Sequence, residues 1–179
     1  MLSESLESVD LLPAFCQARI LVLGVGNILF SDDGFGPAVI EKLLRDYHIP
    51  DDIYVMDTGT GVRKLLFTLT LSGTGPEEIL VVDAVDWGQE IGLISEIPVK
   101  ELPASKVDDF SLHHAPTSNL LRDLENNCGV RVTVLVCDVG TIPQMIRPGL
   151  STVIQQSVTA ATHQIANRYC LEYLCRTAA

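Results

Sequence analysis

An apolar run of strand length, RILVLGV at residues 19–25, breaks into a glycine turn at Gly24-Val25-Gly26-Asn27. A second, acidic turn follows at Ser31-Asp32-Asp33-Gly34, and helical spacing begins only after it. A continuous apolar strand needs cover on both faces, so this stretch calls for an interior strand of a layered sheet. Pro37 suits the first turn of the following helix, where a missing N–H costs nothing. Helical spacing then continues from Ala38 to Tyr47.

The same alternation recurs along the chain. Residues 53–56 form a short strand ending at Asp57, and residues 78–83 (EILVVD) and 130–137 (VRVTVLVC) form apolar strands. Residues 93–99 read as an edge strand, with Pro98 near its end. Helical patterns occupy residues 60–71, 119–127 and 149–176, the last entered through Ser151, while residues 106–118 are polar and loop-like. Strands alternating with helices predict an α/β three-layer sandwich: a mostly parallel, twisted sheet of about five strands with helices on both faces. Residues 1–18 read as an N-terminal arm or helix. Residues 19–179 read as a single α/β domain, in keeping with a chain of 179 residues.

Charge narrows the partners. Lys+Arg 12 against Asp+Glu 23 gives a formal net charge of −11, which argues against a basic face that tracks phosphates, and hence against nucleic acid. No run approaches the ~20 apolar residues of a membrane span. The first ten residues are acidic, unlike a signal peptide, so no membrane association and a cytoplasmic location are expected. Five cysteines form no C-x-x-C pair, as expected for inert thiols in a reducing compartment.

The two turns after the first strand are wrong for phosphate and right for a cation. A dinucleotide fingerprint needs a third glycine where Leu29 stands, and Asp32 and Asp33 repel a pyrophosphate. Adjacent aspartates on a turn ordinarily bond nearby backbone, so one is expected to cap a helix while the other faces the cleft. Asp83 ends a central strand. If that strand runs parallel to the first, Asp33 and Asp83 converge at the carboxyl edge of the sheet, where open α/β folds place their ligands. Asp86 follows three residues later. His113 and His114 lie in the polar loop. Two carboxylates and one imidazole make a mixed oxygen and nitrogen site, suited to Ni²⁺ or Zn²⁺ rather than Ca²⁺ or Mg²⁺. Asp57-Thr58-Gly59 matches an aspartic-protease half site, but that chemistry needs two such carboxylates and the chain has one copy. Asp57 is expected instead to end a strand on the same crevice. No G-x-S-x-G elbow or H-E-x-x-H helix is present.

Four of these pieces together carry a family resemblance: LVLGVGNILFSDDGFGPAVIEKL, DTGTG, VVDAVD and SLHHAP, in that order. The chain resembles the hydrogenase maturation endopeptidases, which trim the large subunit of nickel–iron hydrogenases. The resemblance implies a hydrolase of aspartyl or metal-dependent type, in which Asp33, Asp83 and His113 bind metal and carry catalysis. Asp57 and Asp86 are secondary candidates. Because His114 adjoins His113, either can be the imidazole ligand. The implied metal is Ni²⁺ delivered by the substrate, with Cd²⁺ or Zn²⁺ able to stand in for it in crystals. The implied partner is a hydrogenase large-subunit precursor, and the implied state a monomer. The form of SLHHAP is most similar to archaeal enzymes serving coenzyme-F420-reducing hydrogenase. The alternative reading is a noncatalytic, nickel-binding chaperone of hydrogenase assembly.

Overall fold

The computed structural model describes residues 13–72, 75–101 and 117–174. Its main sheet contains β1 (Ile20–Val25), β3 (Ile53–Gly59), β4 (Glu78–Val85), β5 (Ile94–Pro98) and β6 (Arg131–Asp138). The helices are α1 (Phe35–Asp46), α2 (Val62–Ser72), α3 (Thr117–Cys128) and α4 (Thr152–Arg168). Two further strands, β2 (Tyr47–His48) and β7 (Glu172–Tyr173), form a small antiparallel pair.

The sheet has five strands in the order β3-β1-β4-β6-β5, parallel except for β5, which pairs antiparallel with β6. Every residue of β1 and β4 is buried, as expected for strands covered on both faces. Alternate side chains feed two cores. Leu21, Leu23, Ile79 and Val81 pack with α2 and α3, whereas Ile20, Val22, Leu80 and Val82 pack with α1 and α4. The expected three-layer sandwich is therefore present. In α1, Phe35, Val39, Ile40 and Leu43 recur at helical spacing and are all fully or nearly fully buried. Each such side chain contributes about 1.5–3 kcal/mol of apolar burial.

Connectivity fixes where a ligand belongs. From β1 the chain moves outward to β3, then returns to the other side of β1 for β4. The carboxyl ends of β1 and β4 therefore flank a topological switch point, and the crevice there opens between connections that leave in opposite directions.

The opposite, amino end of the sheet is held by Glu78, the first residue of β4. Its buried carboxylate accepts the Tyr169 hydroxyl at 2.7 Å and pairs with Arg168 and Arg131, each at 2.9 Å. Arg131 is largely exposed, so its pair is weak; Tyr169 and the more buried Arg168 carry the anchorage of α4 to the sheet.

Two boundaries differ from the sequence pattern. The last helix stops at Arg168, short of residue 176. Cys170 adopts a left-handed φ of 52°, and the Leu171 N–H returns to the Ala166 carbonyl at 2.8 Å, closing the helix without the glycine that normally marks such an end. The freed chain then forms β7 against β2, with Tyr173 edge-on to Tyr47. The second strand runs on past Met56 to Gly59.

Replacing Glu78 by alanine leaves Arg168 and Tyr169 without their shared acceptor. The expected loss is about 2–3 kcal/mol, or roughly 4–12 °C in Tm. Urea and thermal denaturation of Glu78→Ala measure it; a loss below ~0.5 kcal/mol contradicts the anchoring role.

Candidate active site at the carboxyl edge of the sheet

The acidic turn is a short 3-10 segment, Ser31–Gly34, lodged between β1 and α1. Glycines let it close on the sheet. Gly26 has φ +136°, and a Cβ there would lie 2.0 Å from the Asp33 carbonyl oxygen. A Cβ on Gly36 would lie 2.2 Å from the Val25 carbonyl oxygen and 2.4 Å from that of Val82. The glycine turn that resembles half a dinucleotide fingerprint thus accommodates the chain's own backbone.

The two aspartates of the turn have different tasks. The Asn27 N–H donates to Asp33 Oδ2 at 2.8 Å, and Asn27 Oδ1 in turn accepts from the Leu29 N–H. Asp32 Oδ1 accepts the Ser151 N–H at 2.6 Å, across 119 residues of sequence. Neither caps α1, whose N-cap Gly34 offers no side chain. Asp32 instead binds the residue that itself caps α4, where Ser151 accepts from the Ile154 N–H. The expected helix cap is therefore absent: Asp32 ties the turn to the start of α4 instead, because the residue at the N-cap of α1 is a glycine.

Asp83 sits near the end of β4, buried, with Oδ1 accepting the Ala84 N–H at 2.8 Å. Burial pushes its carboxyl well above the usual carboxylate range; the Ala84 N–H lowers it, and the Asp33 charge raises it further. Asp33 is likewise raised by burial, against the lowering effect of its bond from Asn27. The turn that carries Asp33 packs against β4 at the switch point, and burial is the main cause of both shifts. Asp33 Oδ1 and Asp83 Oδ2 accept no hydrogen bond from a described residue. Among the described residues, no cation pairs with either group.

Asp57 and Asp86 lie at the same edge but are exposed. Asp57 Oδ1 accepts the Gly59 N–H at 2.8 Å, shaping its own turn, while the Thr58 hydroxyl donates to the Gly24 carbonyl at 2.7 Å and ties β3 to β1. His113 and His114 lie outside the described residues. The described histidines, His48 on β2 and His163 on α4, are exposed, and no group of three metal-binding side chains forms among the described residues.

One buried acid escaped the sequence reading. Asp138, at the end of β6, accepts backbone N–H groups from Trp87 and Gln89 on Oδ2 and from Gly140 on Oδ1, at 2.9–3.1 Å. It fixes the loop that carries Asp86. Its signal was available: VLVCD ends an apolar strand on aspartate just as ILVVD does.

Nucleophilic cysteine chemistry has no support among the described thiols. All four are free, and Cys137 is pushed up to about 11 by burial, away from a reactive thiolate. No helix among the described residues is long and apolar enough to cross a membrane.

Comparison with known proteins accords with this architecture. The family described as "HycI: Hydrogenase maturation protease" matches residues 37–168. A putative hydrogenase maturation protease of Methanocaldococcus jannaschii is 40% identical over 144 residues, covering 79% of this chain and 90% of that relative. The coenzyme F420 hydrogenase subunit delta of Methanothermobacter thermautotrophicus is 33% identical over 153 residues, covering 83% and 93%. Among solved structures, the hydrogenase maturating endopeptidase HybD of Escherichia coli superposes with a TM-score of 0.69 at 25% identity, over 90% of this chain and 99% of that one. The match to the family spans most of the fold, from α1 through α4, and the relatives share nearly their whole length with it. The chain belongs to the hydrogenase maturation protease family, and is an endopeptidase of hydrogenase maturation.

Proposed function

We propose that this protein removes the C-terminal extension of a nickel–iron hydrogenase large-subunit precursor in the cytoplasm, acting as a monomer and using the precursor's own nickel for recognition. The observation that carries this reading is the pair Asp33 and Asp83: a buried and a half-buried carboxylate at the switch point, each with one oxygen uncommitted among the described residues and no cation there to offset them. Such a pair suits a divalent ion, which relieves both the desolvation and the mutual repulsion. Together with an imidazole from His113, or from the adjacent His114, it leaves open positions for the incoming metal's other ligands.

In this mechanism the nickel arrives with the substrate. Asp33, Asp83 and the histidine hold it, and the scissile peptide beside it is thereby placed in the crevice. Polarisation of the peptide carbonyl is the chemistry such an ion supplies. The protein's own contribution is positional. Asn27 fixes Asp33, Asp32 locks the turn to α4, and Asp138 holds the Asp86 loop. In this reading Asp57 and Asp86, exposed at the same edge, orient water or peptide.

Asp33→Ala, Asp83→Ala and His113→Ala are each expected to reduce processing of nickel-loaded precursor at least about 100-fold, with the fold retained by circular dichroism. Gel mobility of the precursor reports loss of its C-terminal piece. Normal cleavage by His113→Ala together with loss in His114→Ala assigns the ligand to His114; normal cleavage by both refutes the site. Wild-type protein that binds loaded precursor without cutting it is a chaperone. Precursor lacking nickel should remain uncut.

The raised Asp83 pKa has a sign that can be measured without substrate. The folded state keeps this proton to higher pH than the unfolded chain, whose aspartate titrates near ~3.9. The associated stability is complete below that value and is lost as pH rises through the folded-state pKa. Asp83→Asn removes the loss while retaining an acceptor for the Ala84 N–H. In metal-free protein the variant should be more stable than wild type at pH 8, with little gain at pH 4. Added Ni²⁺ should raise Tm in wild type and not in the variant. Urea titrations at the two pH values decide; equal stability of variant and wild type at pH 8 contradicts a buried, destabilising carboxylate.

A further inference from the structure

Beside the acidic turn lies an apolar shelf with an unusual construction. Ile28 and Leu29 are 61% and 44% exposed, and Met145 and Ile146 are 80% and 67% exposed. The two segments are far apart in sequence and zipped together by backbone. The Arg147 N–H donates to the Leu29 carbonyl at 2.8 Å, and the Ser31 N–H donates to the Arg147 carbonyl at 2.7 Å. Phe30 and Arg147 form a parallel β-bridge. The Ser31 hydroxyl reaches the Gly149 carbonyl, and Asp32 holds Ser151. This backbone is ordered by its own hydrogen bonds, yet it presents four large apolar side chains to solvent. Scattered apolar residues need no explanation, but a cluster on a fixed scaffold marks an interaction surface.

Resting on the peptidase reading above, we propose that the shelf Ile28, Leu29, Met145 and Ile146, with Arg147 at its rim, docks the folded body of the hydrogenase large-subunit precursor through an apolar patch bearing a carboxylate. Three features specify this occupant. The shelf is continuous with the candidate site, since Ile28 and Leu29 lie between Asn27, which binds Asp33, and the acidic turn. A peptide delivered to Asp33 therefore brings its parent protein against the shelf. Arg147 is exposed and makes no ion pair among the described residues, so a carboxylate on the partner completes it. A second copy of this chain is disfavoured because each copy carries −11. Central apolar contacts with a charged rim are the usual anatomy of a specific protein interface.

The test measures binding of the large-subunit precursor from the same organism, nickel-loaded and with its extension intact, to full-length protein by biolayer interferometry. The comparison is between wild type, the double variant Met145→Glu/Ile146→Glu, and Arg147→Glu. The altered side chains are solvent-facing, and circular dichroism melts verify folding. The double variant should bind at least about tenfold more weakly. Arg147→Glu should weaken binding, and most strongly at low salt. If the double variant binds within about twofold of wild type while wild type cleaves the precursor, the shelf proposal is overturned and the peptidase reading stands. If wild type neither binds nor cleaves, both are overturned. Self-association of wild type at micromolar concentration that the double variant abolishes assigns the shelf to a second copy, and also overturns the proposal.

Discussion

A fully buried carboxylate, Asp83, at the end of a central strand, with the half-buried Asp33 on the turn packed beside it, is the constraint around which this molecule is arranged. Asp83 lies within a fully buried strand and Asp33 on the turn that packs against it. Each raises the free energy of the other when ionised, and burial adds to both. A fold maximising stability would put neutral side chains there. The elements that could relax the strain instead prevent it. The Asn27 N–H holds the Asp33 side chain, and the bond from the Ser151 N–H to Asp32 ties the turn itself to the start of α4. Stability given up at one place while its surroundings are over-determined is how functional sites are maintained.

The scaffold permits this through close backbone approach. Gly36 starts α1 against the carbonyl oxygens of Val25 and Val82, so one helix touches the ends of both strands that flank the crevice. Any side chain there would push α1 outward and move the acidic turn with it. At the far end, Glu78 pins α4 to β4, and α4 in turn presents Ser151 to Asp32. The amino-end anchor and the carboxyl-end site are thus coupled through a single rigid helix. The same helix entry carries the chain that forms half of the exposed shelf, which places recognition and chemistry on one continuous framework.

Much of this was legible in the residues. The four parallel strands, RILVLGV, IYVM, EILVVD and VRVTVLVC, announce themselves by apolar runs, and their alternation with helical spacing dictates a layered α/β fold. The position of Asp83 at the carboxyl edge was legible because a strand-end acid in a parallel sheet has only one edge to occupy, and Asp33 follows from the turn that succeeds β1. What escaped depends on long-range partners. That Asp32 serves α4 requires knowing that residues 32 and 151 meet. The halt of α4 at Arg168 relies on Cys170 in a left-handed conformation that favours glycine, so no local residue signals it. The β2–β7 pair is two residues long on each strand, too short for any periodicity. Asp138 shows the same strand-end pattern, but its role in holding a loop rests on Trp87 and Gln89, 51 and 49 residues away.

The central claim is that Asp33 and Asp83 share one divalent ion with a histidine of the 102–116 segment. Diffraction from crystals soaked in Ni²⁺, with anomalous data collected at the nickel edge, tests it directly. One nickel peak bound by Asp33, Asp83 and the imidazole of His113 or His114 is the predicted result. Nickel bound only at other side chains, in protein that still processes its precursor, would contradict it.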